Sequence, residues 1–302
     1  MWVVLAFISA LCLGFYDISK KKALLSNAVV DVLTYSILFS SLLLAVPLLL
    51  SRCCPETMSG SLFYVPEMGL EGHLLTILKS LIVLSSWIFA YISLKHLPIS
   101  VVSPMQATRP MWTLIGALLI FDERLNTLQW AGVLLAIGSI LLFSFRSSNR
   151  LTHAGTRADV RYYIALVLAI LIGACSGLYD KYLMRHFDHN AVQVYYTFYQ
   201  GLMMSVVWGA VHLLEHRPVT KPSRSALLPI ALISVFLVLS DNVYMLALSD
   251  PDSMISVVST IRRGGAVIGF GYGLIFLKEQ DPLPKILCMM GICAGLLCLA
   301  FA

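Results

Sequence analysis

Two copies of one four-residue motif constrain this chain more than any other feature. The motif is glycine, an apolar residue, tyrosine and aspartate; it occupies residues 14–17 and 177–180, each at the end of an apolar run. An Asn-Ala-Val triplet follows both copies at the same distance, at residues 27–29 and 190–192. The sequence Ser-Val-Val-Ser also occurs twice, at 100–103 and 256–259. Chance rarely repeats motifs together with their spacing, so the chain is predicted to contain two copies of one unit.

The composition predicts a protein that crosses the membrane several times. Hydrophobic residues make up 59% of the 302 residues and charged residues only 12%, whereas a soluble domain carries about 25% charged residues. The net charge of +5 does not indicate nucleic-acid binding, because the basic residues concentrate in short loops between apolar runs. The seven cysteines show no spacing typical of a metal site. The lipid bilayer is therefore an expected partner, and neither metal nor cofactor is predicted.

Ten apolar runs are long enough to cross a bilayer, which needs about 20 residues per helix. The predicted spans are 2–18, 29–50, 73–94, 99–120, 128–145, 162–180, 191–213, 226–248, 254–277 and 284–302. They divide into a first five-helix repeat at 1–146, a polar linker at 147–161 and a second repeat at 162–302. Since five is odd, the two copies enter the membrane in opposite directions. The predicted fold is an all-α integral membrane protein of ten transmembrane helices in two inverted five-helix repeats, an arrangement typical of secondary transporters.

Charged residues inside these spans mark the candidate functional site, because each costs about 2.5–3.5 kcal/mol at a helix centre. Six such residues are singled out, three acids and three bases: Asp17, Asp180, Asp241, Arg109, Arg262 and Arg263. Helix rise places Arg109 and Arg262 near the midplane, and it places Asp17 and Asp180 towards opposite sides. The two aspartates are predicted to act in gating or proton coupling. Two alternatives stay open, namely structural ion pairs (Asp241 with Arg262 or Arg263) and helix capping by Asp17 and Asp180.

Span four is predicted to be broken at its arginine. Pro104 and Pro110 flank Arg109 and remove backbone donors from the helix. In span nine, by contrast, Gly265, Gly269 and Gly273 occur once per turn and are predicted to let a neighbouring helix approach closely. The predicted substrate-binding residues are Arg109, Arg262, Gln106, Tyr16, Tyr179, Trp112, Asp241 and Asn242.

The arginines also bear on the substrate. A guanidinium group grips carboxylate or phosphate with a planar fork, which predicts an acidic group on a small-molecule substrate. Three acids balance three bases in the sequence count, and this balance favours a zwitterion, such as an amino acid, over a multiply charged phosphate.

The chain resembles the drug/metabolite transporter superfamily, EamA type. The resemblance rests on the ten spans in two halves, on a glutamate that closes each half's fourth span (121–125 and 277–279), and on glycine-rich fifth and tenth spans (129–133 and 291–295). It implies export of small metabolites across the cell (inner) membrane and cytoplasmic termini, whereas the distribution of lysine and arginine puts both termini outside. The sequence leaves the coupling ion, protons included, and a homodimer open.

An enzyme is not predicted, although one feature of the sequence offers an alternative. Paired aspartates within the membrane are a feature of intramembrane aspartyl proteases, in which two carboxylates share a proton. The Gly-x-Gly-Asp and Pro-Ala-Leu motifs of those enzymes are missing from this sequence. The inverted repeat would also hold Asp17 and Asp180 on opposite sides of the bilayer.

Overall fold

The computed structural model describes residues 1–23, 27–97, 102, 105–106, 108–149, 160–214, 224–275 and 282–302. Within these residues the chain forms helices and no strand. The helices are α1 (Trp2–Ala23), α2 (Val29–Cys53), α3 (Pro55–Met58), α4 (Leu70–His96), α5 (Arg109–Ile120), α6 (Thr127–Asn149), α7 (Val160–His186), α8 (His189–Leu214), α9 (Arg224–Ser249), α10 (Ile255–Arg263), α11 (Ala266–Ile275) and α12 (Pro282–Ala300).

These helices coincide with the apolar runs of the sequence. Five of them contain a stretch that is long and apolar enough to cross a membrane: Trp2–Lys20, Val30–Cys53, Leu70–Ala90, Val160–His186 and Ala226–Ser249. Only 28 to 33% of the most apolar window of each is buried inside the protein, so large aliphatic side chains face outward, as a helix surrounded by lipid requires. The all-helical membrane fold is confirmed, while the count of ten spans stays a prediction.

Each half of the chain packs mainly against the other half. The most extensive contacts join α1 to α9, α6 to α12, α4 to α7 and α2 to α8. Buried serines bridge two of these pairs: Ser9 Oγ donates to Ser240 O at 2.8 Å, and Ser86 Oγ donates to Ala169 O at 2.8 Å. Short hydroxyl side chains of this kind hold transmembrane helices together. The core of the molecule is therefore an interface between the two halves.

Glycines explain two of the closest helix contacts. A Cβ on Gly295 would lie 2.7 Å from Gly132 O, where α12 crosses α6, which gives the glycine-rich fifth and tenth spans a packing role. A Cβ on Gly265 would lie 2.4 Å from Ala10 O of α1, as the sequence predicted. Gly269 differs from that prediction, since nothing lies within 4 Å of the position of its Cβ. The surroundings of Gly273 lie outside the described residues.

The helices of predicted spans four and nine are interrupted at or next to their arginines. Helix α5 begins at Arg109 with Pro110 in its first turn, while α10 ends at Arg263 and α11 begins after Gly264 and Gly265. Span nine is thus interrupted as well, although the sequence predicts only a packing role for its glycines. Pro104, Glu279 and linker residues 150–159 lie outside the described residues, whereas residues 147–149 extend α6 and residues 160–161 begin α7.

Candidate functional site

A cavity of about 290 Å³ lies at the interface between the two halves. Helices α1, α4 and α5 form its wall from the first half, and α7 to α10 form the wall from the second half. The charged residues that line it are Lys79, Arg109, Asp180, Asp241, Arg262 and Arg263, and the aromatic ones are Tyr16, Trp87, Tyr196 and Tyr244. This volume is close to the lower limit of small-molecule sites, about 300–1,000 Å³. Its lining is far more polar than that of an ordinary ligand pocket.

Arg262 forms an ion pair in the second half. One terminal nitrogen donates to Asp241 Oδ1 at 2.7 Å and to Ser240 Oγ at 3.3 Å. The guanidinium group also lies over the ring of Tyr244, 4.0 Å from its centre. Both charged side chains retain some solvent exposure, 17% for Arg262 and 23% for Asp241. The structure therefore selects Arg262 as the partner of Asp241 and favours a structural ion pair at this position.

A second ion pair joins Lys79 of α4 to Asp180 of α7. Lys79 Nζ donates to Asp180 Oδ1, and Tyr244 Oη donates to Asp180 Oδ2 at 3.2 Å. The ammonium group also lies 4.4 Å from the centre of the Tyr196 ring. Asp180 sits well inside α7 (Val160–His186), which excludes a helix-capping role. Both carboxylates of the cavity wall thus have a cation beside them.

Arg109 differs from these residues because only neutral groups contact it. One terminal nitrogen lies 3.3 Å from Ser86 Oγ, 3.4 Å from Gln106 Oε1 and 3.4 Å from Ala169 O. Its Nε, like that of Arg262, is buried without a hydrogen-bond partner among the described residues. Among the described residues no carboxylate lies within 4.0 Å of this guanidinium group. It packs directly on the backbone of α7, since a Cβ on Gly173 would lie 2.4 Å from Arg109 Cζ.

Arg109 and Arg262 occupy similar settings in the two halves. Each donates at 3.3 Å to a serine of the neighbouring long helix, in α4 for Arg109 and in α9 for Arg262. The residue that follows the serine differs: it is Asp241 in α9 and Trp87 in α4. In the second half Arg262 therefore has the carboxylate of Asp241 beside it. In the first half the residue after the serine is Trp87, which carries no charge.

Arg263 also lines the cavity. No carboxylate of the described residues lies within 4.0 Å of its guanidinium group. Arg263 and Arg109 thus line one cavity as two guanidinium groups, and neither has an acidic partner among the described residues.

The structure brings together five of the predicted site residues and separates the others. Tyr16, Arg109, Asp180, Asp241 and Arg262 line the cavity; Gln106, Trp112, Tyr179, Asn242 and Asp17 do not. Gln106 Oε1 instead accepts a hydrogen bond from Arg109 at 3.4 Å. Tyr179 Oη donates to Leu75 O at 3.1 Å. Asn242 Nδ2 donates to Asn190 Oδ1 and Gln193 Oε1, both at 2.8 Å. Trp112 and Asp17 are exposed.

Sequence reasoning misses Lys79, the most consequential residue of the wall. It lies within the predicted span 73–94, so its position inside an apolar run is the signal that could have found it. The cavity lining has four basic and two acidic side chains. The sequence predicted equal numbers, three of each. The argument for a zwitterion depends on that balance and loses its basis.

Two further charged residues connect helices outside the cavity, and the sequence does not reveal this role. Lys181 is completely buried, and its Nζ donates to Leu248 O and Asp250 O, both at 3.1 Å. Glu123 accepts from the backbone nitrogens of Ile255 at 2.5 Å and Ser256 at 3.2 Å. The glutamate that closes span four thus caps the first turn of α10 across the two halves.

A small side pocket adjoins the cavity. It has a volume of about 60 Å³ and shares Trp87, Tyr196, Leu237 and Asp241 with the cavity wall. Gln200 lines it, is only 2% exposed, and has neither side-chain polar atom in a hydrogen bond. No group of three or more potential metal ligands occurs among the described residues.

The sequence model of the EamA-like transporter family matches residues 1–145. This match over the first half of the chain confirms the resemblance to the drug/metabolite transporter superfamily. Neither the match nor the cavity supports the protease alternative, because Asp17 does not line the site that Asp180 faces.

The fold extends beyond the EamA-like half. One solved structure, described only as a crystal structure of a protein, superposes with a TM-score of 0.74 and covers 99% of this chain and 96% of its own. Sequence identity is 13%, so the likeness shows the fold alone. A comparison with curated proteins gives no match.

Proposed function

We propose that this protein is a secondary-active transporter that exports a small polar metabolite with an acidic group across the inner (cell) membrane. The observation that carries the proposal is Arg109. It stands at a helix break in a cavity between the two halves, and no carboxylate of the described residues lies within 4.0 Å of its guanidinium group. A buried arginine without an acid is costly in the membrane, and a carboxylate or phosphate on the substrate would offset that cost.

The proposed mechanism is alternating access between two inverted halves. The cavity is bounded by both halves, and the main helix contacts occur in matching pairs, α1 with α9 and α4 with α7. Rocking of one half against the other would open the same site to each side in turn. The arginines at the breaks of spans four and nine would then stay at the centre of this movement.

Asp180 is the proposed proton-coupling residue. Of the two repeat-related aspartates it faces the cavity, while Asp17 is exposed outside it. Its carboxylate lies between Lys79 and Tyr244, so protonation would release the lysine ammonium to another partner. The released ammonium group of Lys79 would then bind an anionic substrate. Protonation of Asp180 would in this way be coupled to substrate binding.

The experiment that tests transport screens many metabolites at once, so the substrate can be unidentified at the start. Proteoliposomes that contain the purified protein are incubated in a uniformly ¹³C-labelled metabolite extract, with and without a proton gradient, and their contents are measured by mass spectrometry. We expect at least one labelled acid to accumulate over protein-free liposomes. The Arg109→Gln variant should not accumulate it, and the Asp180→Asn variant should lose the effect of the gradient.

Two outcomes would count against the proposal. If no labelled compound enters wild-type proteoliposomes in either protein orientation, the transport function is wrong. If only neutral or basic compounds enter, transport stands but the role given to Arg109 fails. An amino acid such as glutamine is included as the reference compound for the zwitterion that the sequence predicted.

A further inference from the structure

We infer that the substrate is a doubly charged anion held between Arg109 and Arg263. This inference deepens the proposed transport function and rests on it. It names a substrate class, a small dicarboxylate or a phosphate monoester, and it assigns Arg263 as a second binding residue beside Arg109. The sequence singles out Arg262 for binding, whereas in the structure Arg262 is already paired with Asp241.

Charge pairing around the cavity carries the inference. Of the four cations in the wall, Arg262 has Asp241 at 2.7 Å and Lys79 has Asp180 in direct contact. Two cations are left, and no carboxylate of the described residues lies within 4.0 Å of either of them. Two positive charges in a membrane interior require two negative charges nearby. A dianion supplies both from one molecule.

The placement of the two guanidinium groups supports a single ligand between them. Both line the same cavity of about 290 Å³, where two like charges oppose each other. Arg263 is exposed, and Arg109 has only neutral hydrogen-bond acceptors among the described residues. Each guanidinium group can therefore donate to the oxygens of an acidic group. An anion that bridges them would replace the opposition of like charges by two attractions.

A zwitterion fits this site poorly. Its carboxylate would satisfy one arginine, but its ammonium group would be a fifth cation in a wall that has two carboxylates. Both carboxylates already have a cation beside them, Lys79 for Asp180 and Arg262 for Asp241. Asp17 offers no substitute, because it lies outside the cavity lining and is not within 4.0 Å of Arg263. A monoanion would leave one guanidinium group unpaired.

The test is a binding measurement on the purified full-length protein with probes that differ only in charge. Succinate, succinamate, 4-aminobutyrate and succinamide form a four-carbon series with charges of −2, −1, zero as a zwitterion, and zero without ionised groups. Sulfate, inorganic phosphate and glycerol 3-phosphate provide the phosphate-like arm, and nitrate is the matched monoanion. Affinity is read from thermal shift and calorimetry at constant ionic strength.

We expect a dianion of at least one arm to bind roughly tenfold or more tightly than its monoanionic analogue, because two charge-assisted contacts replace one. Arg109→Gln and Arg263→Gln should each reduce the dianion to the affinity of the monoanion. Arg124→Gln removes an equal charge from an exposed position and should change nothing. The arm that shows the preference distinguishes dicarboxylate from phosphate.

A further variant tests the site even if the arginine variants fail to fold. Trp87→Asp introduces an acid after Ser86, at the point where Asp241 follows Ser240 in the other half. Every arginine is retained, yet the dianion preference should disappear because Arg109 then has a protein partner.

Three outcomes would overturn the inference. In the first, 4-aminobutyrate and succinate bind with equal affinity. In the second, the Trp87→Asp variant still prefers the dianion. In the third, no dianion stabilises the wild-type protein. Accumulation of a zwitterion in the proteoliposome experiment would refute the dianion while leaving the transport function in place. If the protein binds the dianion but transports nothing, the transport function is wrong and the dianion site stands.

Discussion

At the scale of single residues, the site depends on which charges have partners. Asp241 and Asp180 contribute little free negative charge, because Arg262 and Lys79 lie beside them. Arg109 is positioned instead by small and neutral groups, above all by the missing side chain of Gly173. Its guanidinium group is consequently held in place without being neutralised, which is the state that an anion-binding residue needs.

Gly173→Ala is predicted to weaken anion binding without unfolding the protein. A Cβ at this position would lie 2.4 Å from Arg109 Cζ and Nη2, and the flexible guanidinium group would have to move away. We expect binding of the transported acid to fall several-fold, with membrane expression close to wild type. Gly209→Ala is the matched control, since nothing lies within 4 Å of its Cβ position. Unchanged affinity in Gly173→Ala would contradict the placement of Arg109.

The ion pair of Lys79 with Asp180 is predicted to show strong coupling in a double-mutant cycle. Removal of one partner leaves a buried charge and costs about 3–5 kcal/mol, whereas removal of both costs less. Lys79→Met and Asp180→Asn should therefore each lower the thermal stability more than the double variant does. Denaturation of the four proteins in one detergent measures this. Additive losses would show that the two side chains do not interact.

At the scale of helices, two charged side chains hold the region where α9 ends and α10 begins, and one of them comes from the opposite half. Glu123, in the turn after α5, accepts hydrogen bonds from the first two backbone nitrogens of α10. Lys181 of α7 holds the carbonyls at the end of α9. These contacts fix where α10 begins and hence where its terminal arginines enter the cavity.

Glu123→Ala is predicted to loosen the start of α10. Loss of a capping side chain costs about 0.5–2 kcal/mol, and here the cap also joins two halves of the molecule. We expect faster amide hydrogen exchange at Ile255 and Ser256 and a lower thermal stability. Glu56→Ala, at an exposed position in α3, provides the comparison. Wild-type exchange rates at the start of α10 would rule out the capping role.

At the scale of the whole molecule, the two halves are interleaved, so that the long helices of one half find their main neighbours in the other. The cavity exists only where both halves meet. Helices satisfy their backbone polar groups internally, as lipid requires, and the short serine bridges between α1 and α9 and between α4 and α7 keep the helices close.

The proposed inversion predicts opposite sides for repeat-related positions. Lys22 at the end of α1 and Arg185 near the end of α7 are exposed and follow the repeated aspartates by the same five residues. Single cysteines at these positions, in a background without the native cysteines, should react with a membrane-impermeant reagent from opposite faces. Labelling of both from one face would exclude the inverted repeat, while leaving the helix boundaries unaffected.

The sequence by itself determined the membrane class, the approximate helix boundaries and the position of Arg109 at a helix break, while the duplication stays a prediction. Hydropathy and proline act over short stretches of chain, so these features need no knowledge of the fold. Tertiary structure alone decided the charge partners. Lys79 and Asp180 are 101 residues apart in sequence, and Asp241 selects Arg262 over the adjacent Arg263. Ion pairing depends on distances of a few ångströms between distant helices, which no local pattern encodes.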